Sequence, residues 1–200
     1  MNLPNKITLA RIAMIPAFVV LYYVTAIPHN FLYAAIVFAI AAFTDFLDGY
    51  IARKYNMVTD FGKFLDPIAD KVLVLTAFML MLTGVGGGIL PAVSGGVGVS
   101  IIIAREMLVA SFRMVAASKN VVIAADKLGK IKTFTQDFAI LFLLAGKAFE
   151  GGAPFGSYFD AFTAVYYAGF GLYILSVLFT IISGVSYIYK NRAVLKDTVA

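Results

Sequence analysis

The chain has 200 residues, of which 62% are apolar and 14% are charged, and its mean hydropathy is +0.92. Soluble domains contain roughly 45–50% apolar residues, so this composition excludes an ordinary water-soluble globule. The chain has no cysteine and one histidine, which excludes a disulfide framework, a cysteine nucleophile and a thiolate or histidine-rich metal site. Any bound metal ion must therefore have oxygen ligands.

Six apolar segments are long enough to cross a bilayer, which takes about 20 residues of helix. Short breaks, several of them rich in glycine or proline, separate the segments. We therefore predict an all-α, polytopic membrane protein with six transmembrane helices, forming one domain over residues 1–200. The segments span residues 8–26, 31–52, 64–83, 89–117, 128–149 and 158–189.

Positive charges lie near both termini and in alternate connections, whereas Lys147 stands alone on the opposite side. The positive-inside rule places the charged connections in the cytoplasm. The net charge of +5 therefore sets membrane orientation and gives no reason to expect nucleic acid as a partner. We predict a multi-pass protein of the cell inner membrane whose functional site faces the cytoplasm.

Acidic residues are scarce, yet five of the 11 fall in one short stretch. They are Asp45, Asp48, Asp60, Asp66 and Asp70. A carboxylate at the centre of a bilayer costs about 2.5–3.5 kcal/mol, so these groups must face water, cations or each other. Helical spacing places Asp45 and Asp48 on one stripe, and Asp66 and Asp70 one turn apart on the next helix. Pro67 predicts that this second helix begins at Asp66 or is kinked there.

Two carboxylate pairs on antiparallel neighbouring helices can converge on one point. Four converging carboxylates repel each other unless divalent cations neutralise them, and an all-oxygen site suits Mg²⁺ or Mn²⁺. Two such ions can clamp a phosphoryl group, while a carboxylate takes the proton from an attacking hydroxyl. With Arg53 as a phosphate partner, the residues predict metal-dependent chemistry on a phosphorylated substrate at the membrane.

The stretch reads Asp45-x-x-Asp48-Gly49-x-x-Ala52-Arg53-x₈-Gly62-x₃-Asp66-x₃-Asp70. It resembles the signature of the CDP-alcohol phosphatidyltransferase family in every fixed position and spacing. The resemblance implies a six-helix membrane enzyme, commonly a homodimer, that transfers a phosphatidyl or similar group from a CDP-linked donor to an alcohol and releases CMP. It also implies that Asp45, Asp48, Asp66 and Asp70 hold two Mg²⁺ or Mn²⁺ ions, and that Asp70 is the catalytic base.

The same resemblance assigns contacts to the donor, CDP-diacylglycerol. Gly49 would let the cytidine approach the backbone, Arg53 would bind the diphosphate, and Thr59 would contact the nucleotide. Residues 4–11 resemble the short amphipathic N-terminal segment of the family, which places Asn5 and Thr8 near the donor head group. Asp60 matches no position of the signature, and we interpret it as a solvated loop residue.

Segments near Arg105 and Lys130 resemble those of family members whose acceptor is sn-glycerol 3-phosphate. This implies that basic residues of these segments bind the acceptor phosphate, a dianion that needs nearby cations. The predicted acceptor contacts are Arg105, Arg113, Lys130 and Lys132. Alternatively, Arg105 and Arg113 pair with Glu106, and the lysines are ordinary positive-inside charge. We expect Lys71 to extend to the cytoplasmic edge of the bilayer.

Two other functions fit part of the pattern. The acceptor could be inositol phosphate, serine or phosphatidylglycerol, because the aspartate signature reads only the CDP-linked donor. A membrane cation transporter would explain the intramembrane acids, but it would leave the fixed spacing of Gly49, Ala52 and Arg53 unexplained. We therefore expect transfer from CDP-diacylglycerol to sn-glycerol 3-phosphate.

Overall fold

The computed structural model describes residues 3–54, 60–119, 121, 123, 127–150 and 159–192. In these residues the chain forms six α-helices and no strand, so the all-α prediction is confirmed. Each predicted apolar segment corresponds to one helix. The helices are α1 (Leu3–Tyr23), α2 (Asn30–Lys54), α3 (Asp60–Leu82), α4 (Ala92–Ser118), α5 (Lys127–Glu150) and α6 (Phe159–Asn191).

The described helices have the length and surface of a membrane protein. Three stretches are long and apolar enough to cross a bilayer, namely Asn5–Tyr23, Ala92–Ser118 and Thr163–Asn191. Large apolar side chains also cover the outside of the bundle: Phe43 is 63% exposed, Val93 81% and Met107 67%. Apolar surface on this scale favours lipid contact over contact with water. The predicted class of membrane protein is confirmed.

Two helices begin earlier than the sequence pattern predicts. Helix α1 runs without a break through residues 4–11, so the N-terminal segment and the first span are one helix. Helix α3 begins at Asp60 and continues through Asp66 and Pro67, so neither the predicted start at Asp66 nor a loop position for Asp60 is correct. An acidic residue at the first position of a helix is favoured by the helix dipole, which explains the earlier start.

The helices pack as neighbouring antiparallel pairs. Helix α5 packs most extensively against α6, α1 packs against α2, and contacts of α1 with α3, of α2 with α5 and of α4 with α6 join these pairs into one bundle. The α1–α2 connection is closed by the buried side chain of Asn30, whose Nδ2 donates hydrogen bonds of 3.2 Å to the carbonyl oxygens of Leu21 and Tyr22. These bonds satisfy carbonyls that the end of α1 leaves free.

A glycine allows the closest approach within the α5–α6 pair. A Cβ atom at Gly169 of α6 would lie 2.8 Å from the backbone nitrogen of Leu143 in α5. Elsewhere in the bundle, large apolar side chains fill the space between helices. Phe18 of α1, Phe38 of α2 and Phe78 of α3 are fully buried. The tight core fixes the helix positions, and with them the side chains near one end of the bundle.

Candidate active site

The acids of α2 and α3 meet near this end of the bundle. Asp45 of α2 accepts a hydrogen bond of 2.5 Å from Nη1 of Arg11, and the Arg11 side chain is fully buried. Asp70 of α3 lies close enough to Asp45 for the two carboxylates to repel each other, while Arg11 partly offsets the repulsion. The structure therefore brings together one predicted acid from each pair.

The remaining residues of the aspartate signature are placed by their backbone alone. Asp48 and Arg53 lie in α2, and Asp66 lies in α3. Helical periodicity puts Asp48 near the face of Asp45, and Asp66 on the face of Asp70. The side chains of Asp48, Arg53 and Asp66, and the whole of Thr59, are outside the described residues. The complete ligand set stays a prediction.

The first turns of α1 carry a buried polar strip. Asn5, Thr8 and Arg11 are buried, whereas Lys6 and Leu9 on the same turns are exposed. The three buried positions are spaced by three residues, so they lie along one side of the helix. The first turns of α1 thus direct polar side chains into the bundle, and one of these side chains, Arg11, contacts Asp45. Arg11 belongs to this strip as well as to the positively charged N-terminal segment, because it follows Asn5 and Thr8 at the same spacing of three residues.

A second polar cluster surrounds Glu106 of α4. Its Oε1 accepts hydrogen bonds from Nη1 of Arg105, at 2.9 Å, and from Nζ of Lys132 of α5. Its Oε2 lies 3.6 Å from Nζ of Lys71 of α3. We call Lys71, Arg105 and Lys132 the basic cluster. Because three cations surround one carboxylate, the cluster has excess positive charge and can bind an anion such as phosphate.

Small residues on α5 and α6 make room for Arg105. A Cβ atom at Gly184 would lie 3.1 Å from Cγ of Arg105, and one at Gly129 would lie 3.7 Å from its Nη2. The arginine therefore extends between these two helices toward Glu106. A larger residue at position 184 would force it to move.

A cleft of about 30 Å³ lies beside both polar clusters. It puts the predicted base, Asp70, in one cavity with Lys132 of the basic cluster. Asp137 of α5 lies close enough to Asp70, Asp45 and Lys132 for their charges to interact. The residues that line the cleft are Asp70, Lys71, Val74, Leu75, Ile102, Glu106, Lys132, Thr133 and Gln136.

Of the four predicted acceptor contacts, Lys132 lines this cleft, Arg105 contacts its lining residue Glu106, and Arg113 and Lys130 do neither. Arg113 is exposed, and its Nε donates a 3.3 Å hydrogen bond to the hydroxyl of Tyr187 in α6. The alternative pairing with Glu106 is therefore correct for Arg105 and wrong for Arg113, which lies about two turns further along α4. Lys130 is exposed on α5. Acceptor roles for Arg113 and Lys130 stay predictions.

Two polar residues of the cleft, Lys71 and Gln136, do not follow from the sequence predictions. Lys71 was expected to extend to the membrane edge, but its Nζ lies beside Glu106 instead, because the carboxylate attracts it. Gln136 was not considered at all. A signal was present, since Gln136 follows Lys132 by four residues and therefore shares its helix face.

Comparison with known proteins gives one matching family and several similar relatives. The family described as CDP-alcohol phosphatidyltransferase matches residues 1–185. A Bacillus subtilis (strain 168) protein named CDP-diacylglycerol--glycerol-3-phosphate 3-phosphatidyltransferase is 42% identical over 208 residues, covering 98% of both chains. A protein of the same name from Escherichia coli (strain K12) is 34% identical over 200 residues, covering 98% of both chains. A third, from Rickettsia bellii (strain RML369-C), is 43% identical over 145 residues, covering 72% of this chain and 76% of its own.

Proposed function

Because the chain belongs to the CDP-alcohol phosphatidyltransferase family, we propose that it transfers the phosphatidyl group of CDP-diacylglycerol to sn-glycerol 3-phosphate and releases CMP. This reaction is a step of phospholipid synthesis. The observation that carries the choice of acceptor is the basic cluster, because Lys71 and Lys132 line the same cleft as Asp70, and Arg105 contacts Glu106 beside them. The printed names of similar proteins give the same donor and acceptor.

We propose two Mg²⁺ or Mn²⁺ ions as cofactors, held by Asp45, Asp48, Asp66 and Asp70. The donor set fits, because hard divalent cations prefer carboxylate oxygens, and Asp45 and Asp70 repel each other unless a cation lies between them. When bound, the ions neutralise charge on the diphosphate and on the phosphoryl group that is transferred. Arg11 positions Asp45 through its hydrogen bond.

The protein residues have separate roles in the proposed reaction. Asp70 takes the proton from the acceptor hydroxyl, and the oxygen of that hydroxyl forms a bond to the β-phosphorus of CDP-diacylglycerol. The bond between that phosphorus and the bridging oxygen breaks, and CMP leaves with the electron pair. Lys132 and Arg105 hold the acceptor phosphate. Proposed donor contacts are Asn5, Thr8, Gly49, Arg53 and Thr59.

The proposed setting is the inner membrane, with the cleft open to the cytoplasm. Alternate basic connections in the sequence support this orientation. Exposed apolar side chains such as Met107 and Val93 support contact with membrane lipids. A homodimer is proposed from the family resemblance.

The acceptor is tested by incubating purified protein in detergent with CDP-diacylglycerol, Mg²⁺ and one acceptor at a time. We expect CMP release with sn-glycerol 3-phosphate, and little with inositol phosphate, serine or phosphatidylglycerol. CMP release with one of the other acceptors, and none with sn-glycerol 3-phosphate, would show that the acceptor is wrongly assigned. Uptake of Mn²⁺ into proteoliposomes without any CDP-linked lipid would favour the transporter instead.

Metal dependence is tested in the same assay. Removal of divalent cations with EDTA is expected to stop CMP release, because the four aspartates would then repel each other and the donor diphosphate. Added Mg²⁺ or Mn²⁺ should restore it, while added Ca²⁺, a larger ion with a different preferred coordination, serves as the comparison. Full activity in EDTA would contradict the proposed cofactors.

A further inference from the structure

Gln136 is a buried amide without a hydrogen-bond partner for its nitrogen. The residue lies on α5 and is only 2% exposed. Within the described part of the chain, no acceptor lies within hydrogen-bond reach of its Nε2. Lys132, one turn earlier and also buried, donates to Glu106. An amide that has lost water without gaining a partner is unfavourable, so a substrate that brings an acceptor oxygen gains affinity there.

The surroundings of Gln136 indicate which oxygen of the substrate would accept this hydrogen bond. Gln136 lines the same cleft as Asp70 and Lys132, and residues four apart on a helix have Cβ atoms about 5–6 Å from each other. In sn-glycerol 3-phosphate, a three-carbon backbone joins the phosphate to the terminal hydroxyl, and a secondary hydroxyl lies on the middle carbon. With the phosphate at Lys132 and the reacting hydroxyl at Asp70, the secondary hydroxyl would lie between them, within the cleft that Gln136 also lines.

We propose that Nε2 of Gln136 donates a hydrogen bond to the secondary hydroxyl of the acceptor, and that this contact selects glycerol phosphate among phosphorylated alcohols. The inference rests on the proposed function and adds a specificity-determining residue to it.

The test compares sn-glycerol 3-phosphate with 3-hydroxypropyl phosphate, which lacks only the secondary hydroxyl. CMP release is measured for the unchanged protein and for Gln136→Met, which keeps the side-chain length but has no donor. We expect the unchanged protein to prefer sn-glycerol 3-phosphate at least about tenfold in kcat/KM, because a site built to bind a hydroxyl rejects the analogue without it. Gln136→Met should lose most of this preference through a higher KM for sn-glycerol 3-phosphate, with the KM for CDP-diacylglycerol unchanged.

Thr135→Val is the matched control. The Thr135 hydroxyl donates to the carbonyl oxygen of Lys132 at 2.8 Å, and Thr135 does not line the cleft. This variant should keep the preference. Thermal unfolding of the substrate-free protein tests for a merely structural role, because replacing an unpaired amide with an apolar group of similar size should leave Tm unchanged or raise it.

Three outcomes would overturn the inference. The first is a preference that survives in Gln136→Met, and the second is a lower Tm together with an equal loss of activity toward both acceptors. The third is an unchanged protein that uses both acceptors equally well, which would leave the proposed function standing. If the unchanged protein releases no CMP with sn-glycerol 3-phosphate, the proposed function fails, and the inference fails with it.

Discussion

Glu106 holds three cations in place before any substrate is bound. Arg105 and Lys132 donate to its Oε1, and Lys71 lies beside its Oε2. Lys132 is only 4% exposed, so its charge is compensated mainly by this carboxylate. An incoming phosphate dianion can share the same cations. Glu106 is therefore a positioning residue, which keeps the basic cluster assembled in the absence of the acceptor.

The variant Glu106→Gln tests this role through stability. It would leave buried cations without a counter-ion, and breaking a buried pair in this way costs about 3–5 kcal/mol of unfolding free energy. Chemical unfolding in detergent measures the change. The matched control is Glu150→Gln, since Glu150 pairs with Lys147 at an exposed position, where a pair contributes less than about 1 kcal/mol. Equal losses in the two variants would contradict the role of Glu106.

Asp70→Asn tests the proposed base. An amide keeps the size of the side chain but cannot take a proton, and general-base catalysis contributes about 10²–10⁴-fold. We expect kcat for CMP release to fall by about that factor. Asp60→Asn, outside the aspartate signature, is expected to keep the activity, and similar rates for the two variants would exclude Asp70 as the base.

At the scale of helices, the number and approximate limits of the six helices follow from the sequence, because each apolar run is long enough to form a helix of bilayer length. The starts of α1 and α3 do not follow, since both helices extend past the apolar runs into polar residues. The packing of one helix against another does not follow from the sequence either. Gly169 and Gly171 look alike in the sequence, yet a Cβ atom at Gly169 would collide with the α5 backbone, while at Gly171 it would meet nothing within 4 Å.

This difference predicts opposite effects of the same substitution. Gly169→Ala should push α5 and α6 apart and lower the unfolding free energy by about 1–3 kcal/mol, as overpacked cores do. Gly171→Ala should be neutral or stabilising by up to about 1 kcal/mol, because alanine favours helix. Thermal unfolding of both variants in the same detergent is the measurement, and equal Tm values would show that the α5–α6 contact is looser than described.

At the scale of the whole molecule, one pattern in the sequence, the alternation of positive connections, predicts the orientation of all six helices. That orientation stays a prediction, and the site is less predictable than the fold. The site depends on contacts between distant residues, such as Arg11 with Asp45 and Lys132 with Glu106. Such pairs depend on how the helices pack, which no local spacing encodes. The approach of Asp45 and Asp70 could be predicted from the spacing of the aspartate signature, whereas the shared faces of Asp48 and Asp66 stay a prediction.

The absence of cysteine makes the orientation easy to test. Thr25, in the turn after α1, and Ser118, at the end of α4, are both exposed. If α1 starts in the cytoplasm, as the charge pattern predicts, Thr25 lies on the outer side of the membrane and Ser118 on the cytoplasmic side. A membrane-impermeant maleimide should label Thr25→Cys in intact cells, and Ser118→Cys only after the membrane is opened. The reverse pattern would invert the topology.

The hydrogen bond between Arg11 and Asp45 also has a consequence for how the chain enters the membrane. Alone in the bilayer, α1 would carry an arginine without its partner acid, which costs up to about 2.5–3.5 kcal/mol, the value for the bilayer centre on insertion scales. Asp45, the compensating acid, arrives only when α2 has been synthesised, and the short turn closed by Asn30 brings the two helices together. We therefore expect α1 and α2 to be integrated as a hairpin during translation, with α1 alone inserting poorly.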